Sequence, residues 1–189
     1  MSPIPAFEIG VWNAWIFMFY HFVPPALLTL IYRGTFKKIS GAVPYSKTEK
    51  KMSILVERIS ALALIYSIFL PLKLGTIWFY IGLPVCLIGI IMHTIASVNF
   101  ATTPLDQPIT KGLYRYSRHP MYLAFFVISI GVSIASASWI FLLFSVVFAI
   151  LSFILAIPEE RFCLGKYSDI YREYMNRTPR WLGIPKPMK

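Results

Sequence analysis

The residues best suited to chemistry lie in one short segment, Lys111 to Tyr122. Within it, Arg118 and His119 stand directly before Pro120, a residue that commonly occupies the first position of a helix. A cation, an imidazole and the unpaired N–H groups of a helix start would then meet at one corner. Such a corner could hold an anionic or zwitterionic ligand. The competing interpretation is a basic, aromatic loop that only anchors to lipid headgroups.

A second polar segment begins at Pro158. This proline predicts a helix start, and Glu159 and Glu160 follow it, where acids are favourable near a positive helix N-terminus. Three tyrosines then recur at helical spacing, which predicts an aromatic stripe at a membrane boundary: Tyr167, Tyr171 and Tyr174.

The composition places these segments in a membrane protein. Of the 189 residues, 57% are hydrophobic and only 14% are charged, which is more apolar than a soluble domain of this size could bury. The net charge of +10 comes from Lys and Arg between apolar runs, so the expected partners are membrane lipids rather than nucleic acid. Cys86 and Cys163 lack the spacing of a zinc site or disulfide, and we expect no metal.

Five apolar runs qualify or nearly qualify as membrane spans of roughly 20 residues. They are Val11 to Ile31, Ile54 to Leu72, Ile77 to Ala96, Met121 to Ala135 and Trp139 to Ile157. The sequence therefore predicts an all-α polytopic membrane protein with five transmembrane helices and a C-terminal cytosolic amphipathic helix. We expect the first run to be retained, because the first ten residues carry no Lys or Arg.

Local features refine these spans. Pro24 and Pro25 predict a kink in the first run. The cluster Ser136 to Ser138 predicts a tight hairpin between the last two runs, and the small residues Gly131 and Ala135 should let the two helices of that hairpin approach closely.

The loop charges predict an orientation. The segment Arg33 to Lys51 carries six Lys or Arg residues against one acid, whereas the next link offers only Lys73. The first segment should be cytosolic by the positive-inside rule. Counting crossings then puts the N terminus outside, and puts the basic loop Lys111 to Arg118 and the tail after Pro158 in the cytosol.

Both polar segments resemble motifs of one enzyme family. The run GLYRYSRHPMY, residues 112–122, resembles the Gly-x-Tyr-x-x-x-Arg-His-Pro-x-Tyr motif of the isoprenylcysteine carboxyl methyltransferase and phospholipid methyltransferase superfamily. Pro-Glu-Glu from Pro158, then Tyr167 and YREYMNRTPR in residues 171–180, is similar to the C-terminal pattern of the same family. The two blocks cover roughly the C-terminal half of the chain.

The resemblance implies a methyltransferase that uses S-adenosylmethionine, with a cofactor pocket that is capped by the C-terminal helix and open to lipid. It divides a single membrane domain into a three-helix part, residues 1–97, and a cofactor-binding half, residues 98–189. By position in the motifs, the implied cofactor contacts are Asn99, Gln107, Ile109, Tyr114, His119, Pro120, Met121, Tyr122 and Glu159.

The acceptor is left open between a lipidated cysteine, a phospholipid amine and another hydrophobic molecule. Leu155 stands where prenylcysteine methyltransferases carry an arginine for the substrate carboxylate, so Arg118 or Arg180 would have to replace it. The segment Asp106 to Ile109 also departs from the family pattern. An ammonium acceptor would need a base, for which His119, Glu160 and Glu173 are candidates.

Two other functions stay open. The first is an NADPH-dependent membrane reductase of the sterol and steroid reductase type, and the second is a membrane scaffold without catalysis. His21 and His93 lie inside apolar runs, where helix–helix hydrogen bonding is the expected role. The oligomeric state is not indicated by the sequence.

Overall fold

The computed structural model describes residues 9–32 and 43–187, so Arg33, Lys37 and Lys38 of the orientation argument lie outside the described residues. The described elements are helical, which confirms the all-α prediction. They are α1 (Trp15–Phe19), a 3₁₀ turn (Tyr20–Phe22), α2 (Val23–Ile31), α3 (Lys47–Ile68), α4 (Ile77–Ala101), a second 3₁₀ turn (Gly112–Arg115), α5 (Pro120–Ala135) and α6 (Trp139–Arg177).

Two of these helices, α4 and α6, are long and apolar enough to cross a membrane. The first run, Trp15–Ile31, and α5 are apolar but shorter. Helix α3 begins before its apolar run, at a capping box between Ser46 and Glu49, and carries exposed Glu57 and Arg58 near its middle. The apolar helices are consistent with an integral membrane protein, and the count of five crossings stays a prediction.

The first apolar run changes from α-helix to a 3₁₀ turn just before its two prolines. The 3₁₀ turn separates α1 from α2, and Pro24 and Pro25 lie in the first turn of α2, where their missing N–H groups cost no helical hydrogen bond. The kink itself stays a prediction.

Helices α4 and α5 pack almost backbone to backbone. A Cβ atom on Gly82 would lie 2.3 Å from the Ala135 backbone nitrogen, and one on Gly131 would lie 2.5 Å from that of Cys86. Gly131 and Ala135 therefore bring α5 close to α4, and the prediction that they serve the α5–α6 hairpin was wrong. The reason is that they share one face of α5 with Ile128, which contacts Gly89 of α4.

The predicted tight hairpin between α5 and α6 is confirmed. Ala137 turns the chain with a φ of 50°, and the Ser138 hydroxyl accepts a hydrogen bond from the Phe141 N–H at 3.2 Å, which caps α6. Ser133 and Ser145 then join the two helices through hydroxyls 3.3 Å apart. This serine-bearing face of α5, rather than the Gly131 face, meets α6.

Helix α6 runs without a break through Pro158, which was predicted to begin a helix. That prediction was wrong, because Pro158 is fully buried and the surrounding packing holds the helix together despite the missing hydrogen bond. Within α6 the non-helical backbone lies at Ser168, with φ 49° and ψ −125°. Glu159 and Glu160 therefore lie inside a helix and not at its N-terminus.

The polar segments gather at one end of the bundle. Arg161 of α6 donates to both carboxylate oxygens of Glu49 at the start of α3, at 3.1 and 2.8 Å. At the opposite end, the Lys73 N–H donates to the Ala135 carbonyl at 2.9 Å. The start of α3, the loop before α5 and the second half of α6 thus lie together.

Candidate active site

The loop before α5 and the segment after α6 fold against each other. The Arg118 N–H lies 3.1 Å from the Pro179 carbonyl and 3.2 Å from the Arg180 carbonyl, and the Gly183 N–H donates to the Tyr116 carbonyl at 3.0 Å. These main-chain hydrogen bonds join two regions about 60 residues apart in sequence. They bring the two polar segments of the sequence together at one site.

Tyrosines of α6 pack against the same loop. Tyr171 and Tyr174 are 6% and 7% exposed, and the Tyr174 hydroxyl donates to the Tyr114 carbonyl at 2.7 Å. The prediction of an aromatic stripe along the membrane boundary was therefore wrong for these two residues. Their spacing does place them on one helix face, but that face packs against protein.

Glu160 is the centre of the site. Its carboxylate is 3% exposed and accepts hydrogen bonds from Arg180 Nε at 3.0 Å, Arg180 Nη2 at 2.7 Å and His119 Nε2 at 3.2 Å. Arg118 Nη1 lies 3.2 Å from the same carboxylate. Burial alone would raise the pKa of Glu160, but the bonds from His119 and Arg180 and the charge of Arg118 lower that pKa to about 2.

His119 lies between two carboxylates. Its Nε2 atom faces Glu160, and its Nδ1 atom lies 3.4 Å from Glu159 Oε2. Burial disfavours the charged ring, but the two acids together raise the pKa of His119 above its ordinary value. A ring with both nitrogens facing carboxylates donates from both, which is the property of an imidazolium.

This charge state predicts a stability that depends on pH. A histidine whose pKa is raised in the folded state stabilises the fold fully below its unfolded pKa and loses that contribution as pH rises through the folded value. We therefore expect the melting temperature of the solubilised protein to fall as the pH rises above about 6.5. His119→Gln should flatten this slope. An equal slope in both proteins would contradict the assignment, since the low pKa of Glu160 acts only below about pH 4.5.

Aromatic rings close the site on two sides. The Tyr122 hydroxyl donates a hydrogen bond to Glu159 Oε1, and the His119 ring lies 5.7 Å from the rings of both Tyr122 and Trp181. Trp181 also packs on Phe153, with centroids 4.1 Å apart. The sequence reasoning missed Trp181, although it directly follows the second motif block.

Asn99 and Gly112 form a close contact beside the loop. Gly112 has a φ of +58°, which favours glycine, and a Cβ atom on it would lie 2.0 Å from Asn99 Nδ2. The first glycine of the motif is therefore needed both for its backbone conformation and for the space that the Asn99 amide occupies. Asn99 Nδ2 is buried without a hydrogen-bond partner among the described residues.

The remaining predicted residues are less uniformly placed. Tyr114 and Pro120 are buried, Ile109 and Met121 are half-buried, and Gln107 is exposed in the loop after α4. Glu173 is exposed and pairs with Arg177 at 3.7 Å, so the structure does not bring this candidate base to the cluster.

Leu155, which replaces the arginine of the family pattern, is buried in the apolar core.

Polar atoms without partners show whether the site fits the cofactor that the resemblance implies. Arg118 Nε and Asn99 Nδ2 are buried without partners in the described part of the chain, while the Glu159 side chain is 29% exposed. S-adenosylmethionine carries a carboxylate, an amino group and ribose hydroxyls. Two unpaired donors and an accessible acceptor suit these groups.

The fold and site are those of a small helical membrane protein with a buried ionic cluster at one end. A family model described as phospholipid methyltransferase matches residues 74–170, just over half of the chain. The chain belongs to this family, in the superfamily that also includes isoprenylcysteine methyltransferases.

A curated relative is similar to part of the chain. The chain is 32% identical over 78 residues to a protein-S-isoprenylcysteine O-methyltransferase of Schizosaccharomyces pombe, an alignment that covers 41% of this chain. The chain spans only 32% of the length of that relative. No solved structure matches the chain.

Proposed function

We propose that the protein transfers a methyl group from S-adenosylmethionine to a lipophilic acceptor at the cytosolic face of its membrane. The observation that carries this proposal is the closure of the Arg118–His119 corner by the segment after α6, with Glu160 as the shared partner. Residues of both motif blocks then surround one site, as a cofactor pocket built from them requires.

The residues of the chain would bind and orient rather than react. Arg118 and Asn99 would donate to the anionic end of the cofactor, and Glu159 would accept from its amine or hydroxyl groups. Tyr122 and Trp181 would exclude water from the site. The cofactor supplies a methyl group on a good leaving group, so alignment of the reactants is the main task of the protein.

The charge state of the site favours a methyl acceptor that needs no deprotonation before it reacts. His119 is held as a cation, and Glu160 is engaged by three positive groups, so neither is a free base. A carboxylate needs no base, whereas an ammonium group must first be deprotonated. We therefore propose a lipid-borne carboxylate, the group that an O-methyltransferase acting on isoprenylcysteine would use, with Arg180, whose side chain is 38% exposed, as its partner in place of the missing arginine at Leu155.

Binding of S-adenosylhomocysteine tests the cofactor. We expect micromolar-range affinity in the solubilised protein. Replacing His119 by Ala or Glu159 by Gln should weaken the affinity by at least about tenfold, because each change removes a charged hydrogen-bonding group. Asp169→Asn is the matched control, because Asp169 is 90% exposed and only pairs with Arg172.

The outcome that contradicts this proposal is a folded protein that does not bind S-adenosylhomocysteine. The same titration with NADPH separates the reductase, which would bind NADPH instead, from the scaffold, which would bind neither. The family match favours methyl transfer over both alternatives.

The acceptor is tested with radiolabelled S-adenosylmethionine added to membranes that contain the protein. A methyl ester releases labelled methanol in mild alkali, whereas an N-methyl group does not. Release of the label is the expected result. An alkali-stable product would overturn the carboxylate and favour a phospholipid amine, with Glu159, which is more exposed than Glu160, as the base.

A further inference from the structure

A second polar cluster lies among the apolar helices, separate from the ionic cluster around Glu160. His21 belongs to the 3₁₀ turn between α1 and α2, while His93 and Ser97 lie one turn apart on α4. The two imidazole rings are 4.7 Å apart between centroids, and His93 and Ser97 are 1% and 2% exposed. We call these three residues the histidine cluster.

Polar atoms of the histidine cluster lack partners. His21 Nδ1, His93 Nδ1 and Ser97 Oγ are all buried without a hydrogen bond to any described residue. The expected helix–helix hydrogen bonds are therefore not made by these two nitrogens, and the two rings pack at an angle of 53°. Buried polar groups are almost always paired in proteins, so three unpaired atoms in one place indicate a missing ligand.

Other buried serines show that the exception is specific. The hydroxyls of four serines on α5 and α6 donate to carbonyls one turn earlier on their own helices, at 2.7 to 2.9 Å: Ser129, Ser133, Ser145 and Ser152. Ser97 has the same helical position relative to His93 but makes no such bond. Its hydroxyl is available to a ligand.

Packed aromatic rings connect the histidine cluster to the ionic cluster around Glu160. The ring centroids of His21 and Phe125 lie 4.5 Å apart, and those of Phe125 and Phe148 also lie 4.5 Å apart. The Phe148 ring centroid lies 6.3 Å from that of Tyr122, which belongs to the candidate active site. His21 is half-buried, whereas His93 and Ser97 are buried, so a ligand would reach the cluster past His21. His21 lies in a short 3₁₀ stretch between two α-helical segments, and such a stretch often marks a functional position.

We propose that the histidine cluster binds the neutral hydroxyl or carbonyl group of a lipophilic molecule that enters from the bilayer. The ion pairs of the described residues do not include His21 or His93, and an unpaired charge is costly in lipid, so the rings are neutral. A neutral imidazole offers one donor and one acceptor, and a serine hydroxyl offers both. This set matches an uncharged oxygen and suits neither a phosphate nor an ammonium group. The site is independent of the proposed methyl transfer.

The test uses the full-length protein in phosphatidylcholine nanodiscs with two photoreactive probes, a long-chain alcohol and the matching hydrocarbon. Both carry the same diazirine. The alcohol should label peptides around His21 and His93 more than the hydrocarbon does. Ser97→Ala, or His21→Phe combined with His93→Leu, should reduce that excess by about fivefold, the effect of losing one hydrogen bond. Ser152→Ala, which removes a hydroxyl bonded within its own helix, should leave labelling unchanged.

A stability measurement separates binding from a structural role. Because the replaced atoms lack partners, Ser97→Ala and the double histidine variant should melt no lower than the wild type and should still bind S-adenosylhomocysteine. Equal labelling by the two probes, or labelling that survives both changes, would overturn the site. Lower melting temperatures with unchanged labelling would assign these residues to structure. Since cofactor binding is read separately, failure of the proposed methyl transfer gives a different pattern.

Discussion

Replacing Glu160 by Gln should destabilise the protein by about 3 kcal/mol or more, because removing one partner of a buried ionic cluster leaves the other charges without compensation. The carboxylate is 3% exposed and faces Arg118, His119 and Arg180. Glutamine has the same shape and keeps one acceptor, so the loss measures charge rather than volume. Arg118 is the most affected partner, since its side chain is only 10% exposed.

The measurement is the melting temperature of the solubilised variant, together with its affinity for S-adenosylhomocysteine. Both should fall, because Glu160 positions Arg118 and His119 and also holds the segment after α6 in place. Glu173→Gln is the matched control, since Glu173 is 68% exposed and its pair with Arg177 should contribute little. A Glu160 variant as stable as the control would show that the cluster does not hold the two segments together.

Most of the site could be predicted from two short segments. Arg118, His119, Tyr122, Glu159 and Glu160 were all chosen from sequence, and the structure brings them into one cluster. Arg118 and His119 could be chosen from their position before the helix start at Pro120, whereas Tyr122 and Glu159 were implied by the resemblance to the family motifs.

The division of labour within the cluster could not be predicted. Glu160 was a candidate base, but its partners include Arg180, whose position depends on how the chain returns after α6. Glu173 matched the same chemistry and lies outside the cluster. Trp181 contacts His119 through the same return. Such contacts between distant segments follow from tertiary packing, which local patterns do not encode.

Two errors in the fold have related causes. Pro158 predicted a helix start because proline disfavours helix interiors, yet packing around a buried position outweighs that preference. Gly131 and Ala135 correctly predicted a close helix contact, but their spacing does not say which neighbour uses it. The partner proved to be α4, which is further away in sequence than the hairpin helix α6.

Gly82 provides the test of that α4–α5 contact. An alanine there would place its methyl carbon 2.3 Å from the Ala135 nitrogen and 2.6 Å from the Gly131 carbonyl oxygen, so the two backbones must separate. We expect a loss of about 1–3 kcal/mol, the usual effect of overpacking, measured as a lower melting temperature.

Gly165→Ala is the matched control, because Gly165 lies in α6 with no heavy atom within 4 Å of the added carbon. That change should raise stability by about 0.5–1 kcal/mol through reduced backbone entropy of the unfolded chain. Equal effects of the two substitutions would mean that α4 and α5 are free to move apart.

The same substitution connects the packing to the site. Helix α4 ends two residues after Asn99, and α5 begins directly after His119, so the distance between these helices sets how Asn99 meets the loop at Gly112. Gly82→Ala should therefore also weaken binding of S-adenosylhomocysteine, although Gly82 lies at the far end of α4 from Asn99. If binding were unchanged while stability fell, the position of Asn99 would depend on the loop rather than on the contact between α4 and α5.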